Sequence, residues 1–505
     1  MFKNYLTIAI RNLLRNKVYT LINMVGLGIG MAAAILIGLY VHNEFQVDRH
    51  HQYADRIYRV IRATQANTGD TQTYVLNNPG MLGPDAASTL PEVETATRIW
   101  SNGVLMTYGD KKFNRWGYLT DNHIFDVLTL PLIQGDPKTA LTNPGGIVLT
   151  ESTAQQIFGQ EDPLGKAIQL ASINLAGLYT VTGVIKDFPQ QSTLYAEFLL
   201  SLQNDAWIRP GWETWQPVGL GYHAETYLKL RTDANMPALI QKLNALAQTR
   251  LNEKDRQTNT FHLQPLLRAH LHSTTDYKLR SNGSIDQVIS LIAIGVFILL
   301  IACINFVNLS TASATLRARE VGLRKVVGAY REQLFGQFLS ESLIQAALSL
   351  LLGCFLAFLA MPTFNGFVER DLTFGVFQNL YVLLMLPVLW LLVSLMAGSY
   401  PAFVLSAFRP VETLKGIKNM GHSGVWLRKG LVMFQFAMSI LLIICTVVVH
   451  NQLTYIQNKD MGFNREQVVT LPIFFVIGTP MAVRPKTVYL GMWGLSNAPF
   501  QITPM

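Results

Sequence analysis

Charge is scarce in this chain, and cysteine scarcer still. Of 505 residues only 14% are Asp, Glu, Lys or Arg, against about 25% in soluble globular domains. Half are apolar and mean hydropathy is +0.25, which excludes disordered and low-complexity architectures. Cys303, Cys354 and Cys445 all fall inside apolar blocks. The polar stretch 43–285 has no cysteine, so it folds without a disulfide on its own core, and three separated thiols make no metal-ligand spacing. A G-x-x-x-x-G-K-[ST] phosphate loop is missing, so the chain does not cradle ATP phosphates by that route. The G-x-S-x-G elbow of esterases is missing too. His50, His51, His123, His223, His262, His270 and His272 lack the two-histidine helical spacing of a zincin. They read as polar surface, with His270 and His272 expected on one strand face.

What the chain does have is apolar length. Crossing about 30 Å of hydrocarbon at about 1.5 Å per residue takes about 20 residues. Leu21–Val41, Val288–Leu309, Leu343–Met361, Leu380–Phe403 and Leu431–Val449 meet or approach that length, the third with Glu341 at its edge. The first runs on into His42-Asn43-Glu44 with no small-residue cleavage pattern, so it reads as a signal anchor.

The short polar segments between these runs are basic. Residues 1–20 hold Lys3, Arg11, Arg15 and Lys17 and no acid; 314–334 hold Arg317, Arg319, Arg324, Lys325 and Arg331 against Glu320 and Glu332. Residues 404–430 hold Arg409, Lys415, Lys418, Arg428 and Lys429 against Glu412. Basic segments stay on the cytoplasmic side, so the net charge of +8 is topological and nucleic acid is not needed as a partner. The expected fold class is a polytopic α-helical membrane protein of about five spans with a mixed α/β extracytoplasmic domain, its N-terminus inside.

The expected organisation follows. Residues 1–20 form a cytoplasmic amphipathic helix at the bilayer interface, with Lys3, Thr7, Arg11 and Arg15 on one face and Phe2, Leu6, Ile10 and Leu13 on the other. Residues 21–42 are span 1 and 43–285 the outer domain. Residues 286–416 carry spans 2–4 with an outer hairpin around Thr363–Asn379, 417–451 span 5 and its lead-in, and 452–505 the start of a second outer domain. Within the outer domain, Ile147–Thr150 reads as a strand, Glu151–Phe158 as a helix stopped by Gly159, and Tyr179–Ile185 and Thr226–Arg231 as half-buried strands. Met236–Leu251 reads as a helix whose Leu239, Leu243, Leu246 and Ala247 face a sheet. Gly26, Gly28 and Gly30 lie inside span 1 with no preceding strand, so they predict close helix packing.

Segment 317–329, Arg-Ala-Arg-Glu-Val-Gly-Leu-Arg-Lys-Val-Val-Gly-Ala, mixes charges more than topology requires, and its glycines allow a sharp end or a close approach. It suits docking on a soluble partner. With the preceding Ala302–Leu309 it resembles the permease of ATP-binding-cassette transporters of the MacB/FtsX type. Asp55–Val60, Ile147–Lys166, Val181–Ile185, Ser399–Ala402, Pro410 with Leu414–Gly416, and Leu427–Lys429 with Gln435-Phe436 agree.

The resemblance covers nearly the whole chain to about Pro472. It makes 43–285 a MacB-like periplasmic core domain and 286–416 an FtsX-like permease domain of an inner-membrane subunit that is not an enzyme. It implies that Arg317, Arg319, Glu320, Gly322, Arg324, Lys325, Gly328 and Ala329 form an ATPase-coupling loop. ATP would bind to a cytoplasmic ATPase dimer, with no cofactor or metal in this chain. A second permease copy or half, a periplasmic adaptor or outer-membrane component, and the lipid bilayer complete the implied partners. The implied output is mechanotransmission, for export or extraction of an amphipathic substrate. The family plan repeats, and here the second half starts at span 5 and reads as truncated. The competing reading is a membrane-anchored sensor or regulator of cell-envelope enzymes without transport.

Overall fold

The computed structural model describes residues 7, 11–15, 17–65, 72–172, 175–202, 212–217, 222–273, 283–374, 380–406 and 422–459. The chain divides into two compact units, one holding 1–45 with 285–459 and the other 46–284. In chain order, helix α1 (Lys17–Phe45) is followed by strands β1 (Ile57–Gln65), β2 (Gln72–Val75) and β3 (Asn77–Asn78). Next come α2 (Leu82–Thr89), β4 (Val93–Tyr108), β5 (Lys111–Thr120), α3 (Ile124–Val127), β6 (Leu132–Gly135), β7 (Gly146–Thr150) and α4 (Glu151–Phe158). Then follow β8 (Ala167–Ala171), β9 (Ala176–Ile185), β10 (Phe198–Ser201), β11 (Ala224–Leu230), α5 (Met236–Arg250), α6 (Glu253–Thr258), β12 (Asn259–Pro265) and α7 (Leu266–Ala269). The chain continues through α8 (Ile285–Val326), α9 (Arg331–Val368), α10 (Leu380–Ser406) and α11 (His422–Asn458).

The second unit is a 12-stranded sheet in the order β12-β1-β11-β4-β5-β10-β7-β9-β6, with β2, β3 and β8 paired off that path. It is mixed: β10 runs parallel to β5 and β7 parallel to β9. The β7–α4 unit forms where the sequence places it, and Gly159 ends the helix at φ +68. Helix α5 starts at an Asn235 cap that accepts the Ala238 amide, and it buries Leu239, Leu243 and Ala247 beside Phe261, Leu228 and Val60. Two expectations are corrected. Strand β11 is buried along its whole length rather than half-buried, because it lies between β1 and β4 in the interior of the sheet. His270 and His272 are not on a strand; they sit in the turn after α7, where the His272 amide bonds to the Arg268 carbonyl.

Among the described residues the first unit has five helices long and apolar enough to cross a membrane. Glycine sets the packing of α1. A Cβ on Gly30 would lie 2.6 Å from the Ala302 Cβ, and one on Gly28 would lie 3.1 Å from Leu352, so α8 and α9 approach α1 as the Gly26–Gly30 spacing predicts. Helix α9 continues through Pro362 to Val368, into the stretch read as an outer hairpin; proline is tolerated in membrane helices where neighbours and local adjustment re-satisfy the backbone. The α1 end is tied by Glu44, whose Oε1 accepts from Arg370 Nε at 3.0 Å. Helix α11 packs along α8, but none of its spanning window is buried. It runs to Asn458, inside the stretch expected to open a second outer domain; 460–505 lie outside the described residues, as does most of 1–10.

Candidate functional site

The segment 317–329, expected as a helix-turn within a coupling loop, is mostly helix. Beyond the apolar window that ends at Ala312, α8 continues unbroken to Val326, adding about 20 Å of helix. The sequence allows this because Ala, Leu, Arg and Glu are strong helix formers and no proline intervenes. Arg317, Arg319 and Glu320 belong to this helical stretch, and their side chains lie outside the described set. Gly322 is buried within the helix and does not end it.

Gly328 ends it. Its φ is +99, a left-handed value that glycine adopts without Cβ strain. The Gly328 amide bonds to the Lys325 carbonyl at 3.1 Å and the Ala329 amide to the Arg324 carbonyl at 3.0 Å, the paired bonds of a Schellman cap. An added Cβ there would meet nothing within 4 Å, so the backbone angle and not space requires glycine. Two residues later Tyr330 opens α9, its amide donating to Gln333 Oε1 at 3.2 Å. The connection between the two long helices is therefore only residues 327–330.

This turn is braced from inside. Val321, Leu334, Phe338, Ala402 and Leu405 form a buried cluster, with Ala329 and Phe335 packed on it. Arg324 Nη1 donates to Gln337 Oε1 at 2.7 Å. Lys325 Nζ donates to the Ser406 carbonyl at 2.7 Å, placing a cation at the end of α10 where exposed carbonyls and the helix dipole favour one. Burial, then the neighbouring Arg331 cation, lowers the Lys325 amine from its ordinary value. Arg331 in turn stacks over the Phe403 ring at 4.8 Å.

What the turn presents outward is apolar. Leu323, Val326, Val327 and Tyr330 are 57%, 62%, 87% and 74% exposed. None of these four is among the eight residues expected to form the coupling loop. Their signal was there: a Val-Val pair beside a glycine, in a segment otherwise rich in charge. Of the residues chosen, Arg324, Lys325 and Ala329 join the bracing and Gly328 shapes the turn.

Among the described residues one group has metal-ligand chemistry: Asp48, His50 and His51, with donor atoms within 4.8 Å of one another. Asp48 and His51 already bond within the fold. Both Asp48 carboxylate oxygens accept from Thr193, from the amide at 2.8 Å and the hydroxyl at 2.7 Å. His51 Nδ1 accepts the Thr129 amide at 3.1 Å, which puts the proton of the neutral ring on Nε2 and leaves no lone pair there for a cation. Burial raises the Asp48 carboxyl despite the Thr193 bonds, lowers His50, and holds His51 down to about 3. Asp48 and His51 serve the fold.

Two family models match the chain. The MacB-like periplasmic core domain matches residues 20–246, and the FtsX-like permease C-terminal model matches residues 292–410. The chain belongs to the FtsX/MacB-like ABC permeases. The braced turn falls inside the FtsX-matched segment of this permease. Relatives include the macrolide export ATP-binding/permease protein MacB of Neisseria gonorrhoeae, 24% identical over 381 residues that make up 71% of this chain and 53% of that protein. The protein of the same name from Bdellovibrio bacteriovorus is 24% identical over 275 residues, 53% of this chain and 38% of its own. The permease thus spans about half the length of the curated relatives it matches. A crystal structure of the periplasmic region of MacB from Actinobacillus actinomycetemcomitans aligns at 17% identity and a TM-score of 0.29, over 41% of this chain and 88% of that one. The permease is a multi-pass membrane protein with a periplasmic α/β domain.

Proposed function

We propose that this permease passes the motion of a separate cytoplasmic ATPase dimer to its periplasmic domain, and that the turn Leu323–Tyr330 is where the ATPase docks. The observation that carries the reading is the exposed apolar tip of Leu323, Val326, Val327 and Tyr330 on a turn braced by Arg324, Lys325 and the buried cluster beneath. An apolar tip on a braced turn suits a groove on a soluble partner, and the helix before it carries Arg317, Arg319 and Glu320 in sequence. The bracing makes the tip stiff, so a push on it moves α8, α9 and α10 together. ATP is bound by the partner and not by this chain. The basic segments support a cytoplasmic N-terminus in the inner membrane. The substrate class is amphipathic molecules exported or extracted on the periplasmic side. A second permease copy or half and a periplasmic adaptor or outer-membrane component complete the assembly.

The test is co-purification of the full chain, co-expressed with the ATP-binding-cassette ATPases of its own host. Val327→Glu together with Leu323→Glu should lower ATPase recovery at least tenfold while membrane insertion is unchanged. Equal recovery from mutant and wild type would refute the docking role.

A further inference from the structure

The chain leaving α1 at Phe45 enters the sheet unit through residues 46–56, and that short segment is bonded far more heavily than a connector needs. The Asp48 amide donates to the Gln191 carbonyl at 2.9 Å. Its carboxylate accepts the Thr193 amide at 2.8 Å and the Thr193 hydroxyl at 2.7 Å. Three residues on, His51 Nδ1 accepts the Thr129 amide at 3.1 Å, and the Gln52 amide donates to Thr129 Oγ1 at 2.8 Å. Arg56 then bonds to the Leu230 carbonyl through Nε at 2.8 Å and pairs with Glu94, just before β1 begins at Ile57.

Two separate loops are held by one stretch of chain. The Gln191–Thr193 loop lies between β9 and β10, and the Thr129 loop between α3 and β6. Asp48 and His51 are 0% and 3% exposed, so neither bond set is a surface ornament. Bonds to an ionised carboxylate are about twice as strong as neutral ones. Asp48 also takes a left-handed backbone at φ 62, a region that residues with a Cβ seldom adopt and that Asp enters with local hydrogen bonding. A non-glycine residue stays in such a conformation only where its surroundings over-determine it, and here Thr193 and Gln191 do so.

We infer that Asp48 and His51 are positioning residues that key the segment following the first membrane helix to the Gln191–Thr193 and Thr129 loops, so that displacement of α1 is delivered to the sheet unit as a whole. The inference rests on the reading that this permease passes motion. A flexible linker at 46–56 would absorb a displacement of a few ångströms; a segment with five hydrogen bonds to two loops within five residues does not.

The experiment uses the full chain with its ATPase in nanodiscs, with Cys303, Cys354 and Cys445 replaced. Spin labels go at Leu178 and Phe367, which are 67% and 85% exposed. The wild type should show an ATP-dependent change in the label distance. Asp48→Ala should retain ATPase co-purification and ATP hydrolysis while losing at least half of that change; Asp48→Asn, which keeps one oxygen for the Thr193 amide, should lie between. Should Asp48→Ala not fold, Thr193→Val removes only the hydroxyl bond and carries the test, with a smaller loss expected. A full-sized distance change in Asp48→Ala or Thr193→Val overturns the keyed segment. Failure of the wild type to retain its ATPase overturns the docking reading instead. A wild type that docks, hydrolyses ATP and shows no change overturns the transmission of motion, and the keyed segment with it.

Discussion

In the sheet unit the largest buried side chains are aromatic, with Tyr118, Tyr227, Phe198 and Phe261 almost wholly buried. In the membrane unit many large side chains are exposed, and small or polar residues share the buried positions with Met31, Ile35 and Val393. Leu351, Phe355 and Phe358 on α9 are 68%, 58% and 64% exposed, whereas Ser349, Ala357, Ser394 and Ala402 are all at 0%. The same apolar residue types therefore serve two solvents. Water drives the aromatic residues of the sheet unit inward. Lipid tails leave leucine and phenylalanine no reason to hide, and helices associate where small residues let backbones meet. A burial count that ignored the solvent would call the first unit badly folded.

The largest expected effect comes from that contrast. Phe198→Ala in the sheet core should cost about 3–5 kcal/mol, read as a fall in the thermal midpoint of the periplasmic unit in the detergent-purified chain. Phe436→Ala on α11, where Phe436 is 61% exposed, should move the midpoint by less than about 0.5 kcal/mol equivalent. Similar losses at both sites would break the comparison.

A second test sharpens it on the side that faces water. Burial holds the His51 imidazole at about 3, against 6.5 when free. Because the folded value lies below the unfolded one, the fold accepts only the neutral ring, and stability is lost as pH falls below about 6.5. Between pH 7 and pH 5 the loss attributable to His51 is about 2 kcal/mol. The wild type should lose more thermal stability over that interval than His51→Gln, and parallel pH profiles would contradict the assignment. A smaller loss than at His51 belongs to Lys325→Met, which removes the cation at the α10 end and should cost about 0.3–1 kcal/mol. It should weaken ATPase recovery less than Val327→Glu does, since Lys325 braces the turn from within.

How much of this could be read in the sequence follows the same division. Periodicity and length found β7, α4, α5 and the apolar spans, because each is a local pattern imposed by one solvent. Gly26, Gly28 and Gly30 announced helix contact for the same reason. What the sequence hid depends on partners distant along the chain. Nothing local says that β11 lies in the interior of a sheet. The inward turn of Arg324 and Lys325 depends on Gln337 and Ser406, 13 and 81 residues away. Charge alone does not announce that Arg324 and Lys325 also brace the turn through those bonds. The Asp48–Thr193 bonds span 145 residues, and no spacing rule reaches that far.

The most direct test of the account places a photo-crosslinking amino acid at Val327, 87% exposed at the turn, and separately at Phe367, 85% exposed at the far end of α9. Illumination of the assembled complex should yield an adduct with the ATPase from position 327 and none from 367. An adduct from 367, or none from 327 in a complex that hydrolyses ATP, would contradict the claim that the ATPase seats on this turn.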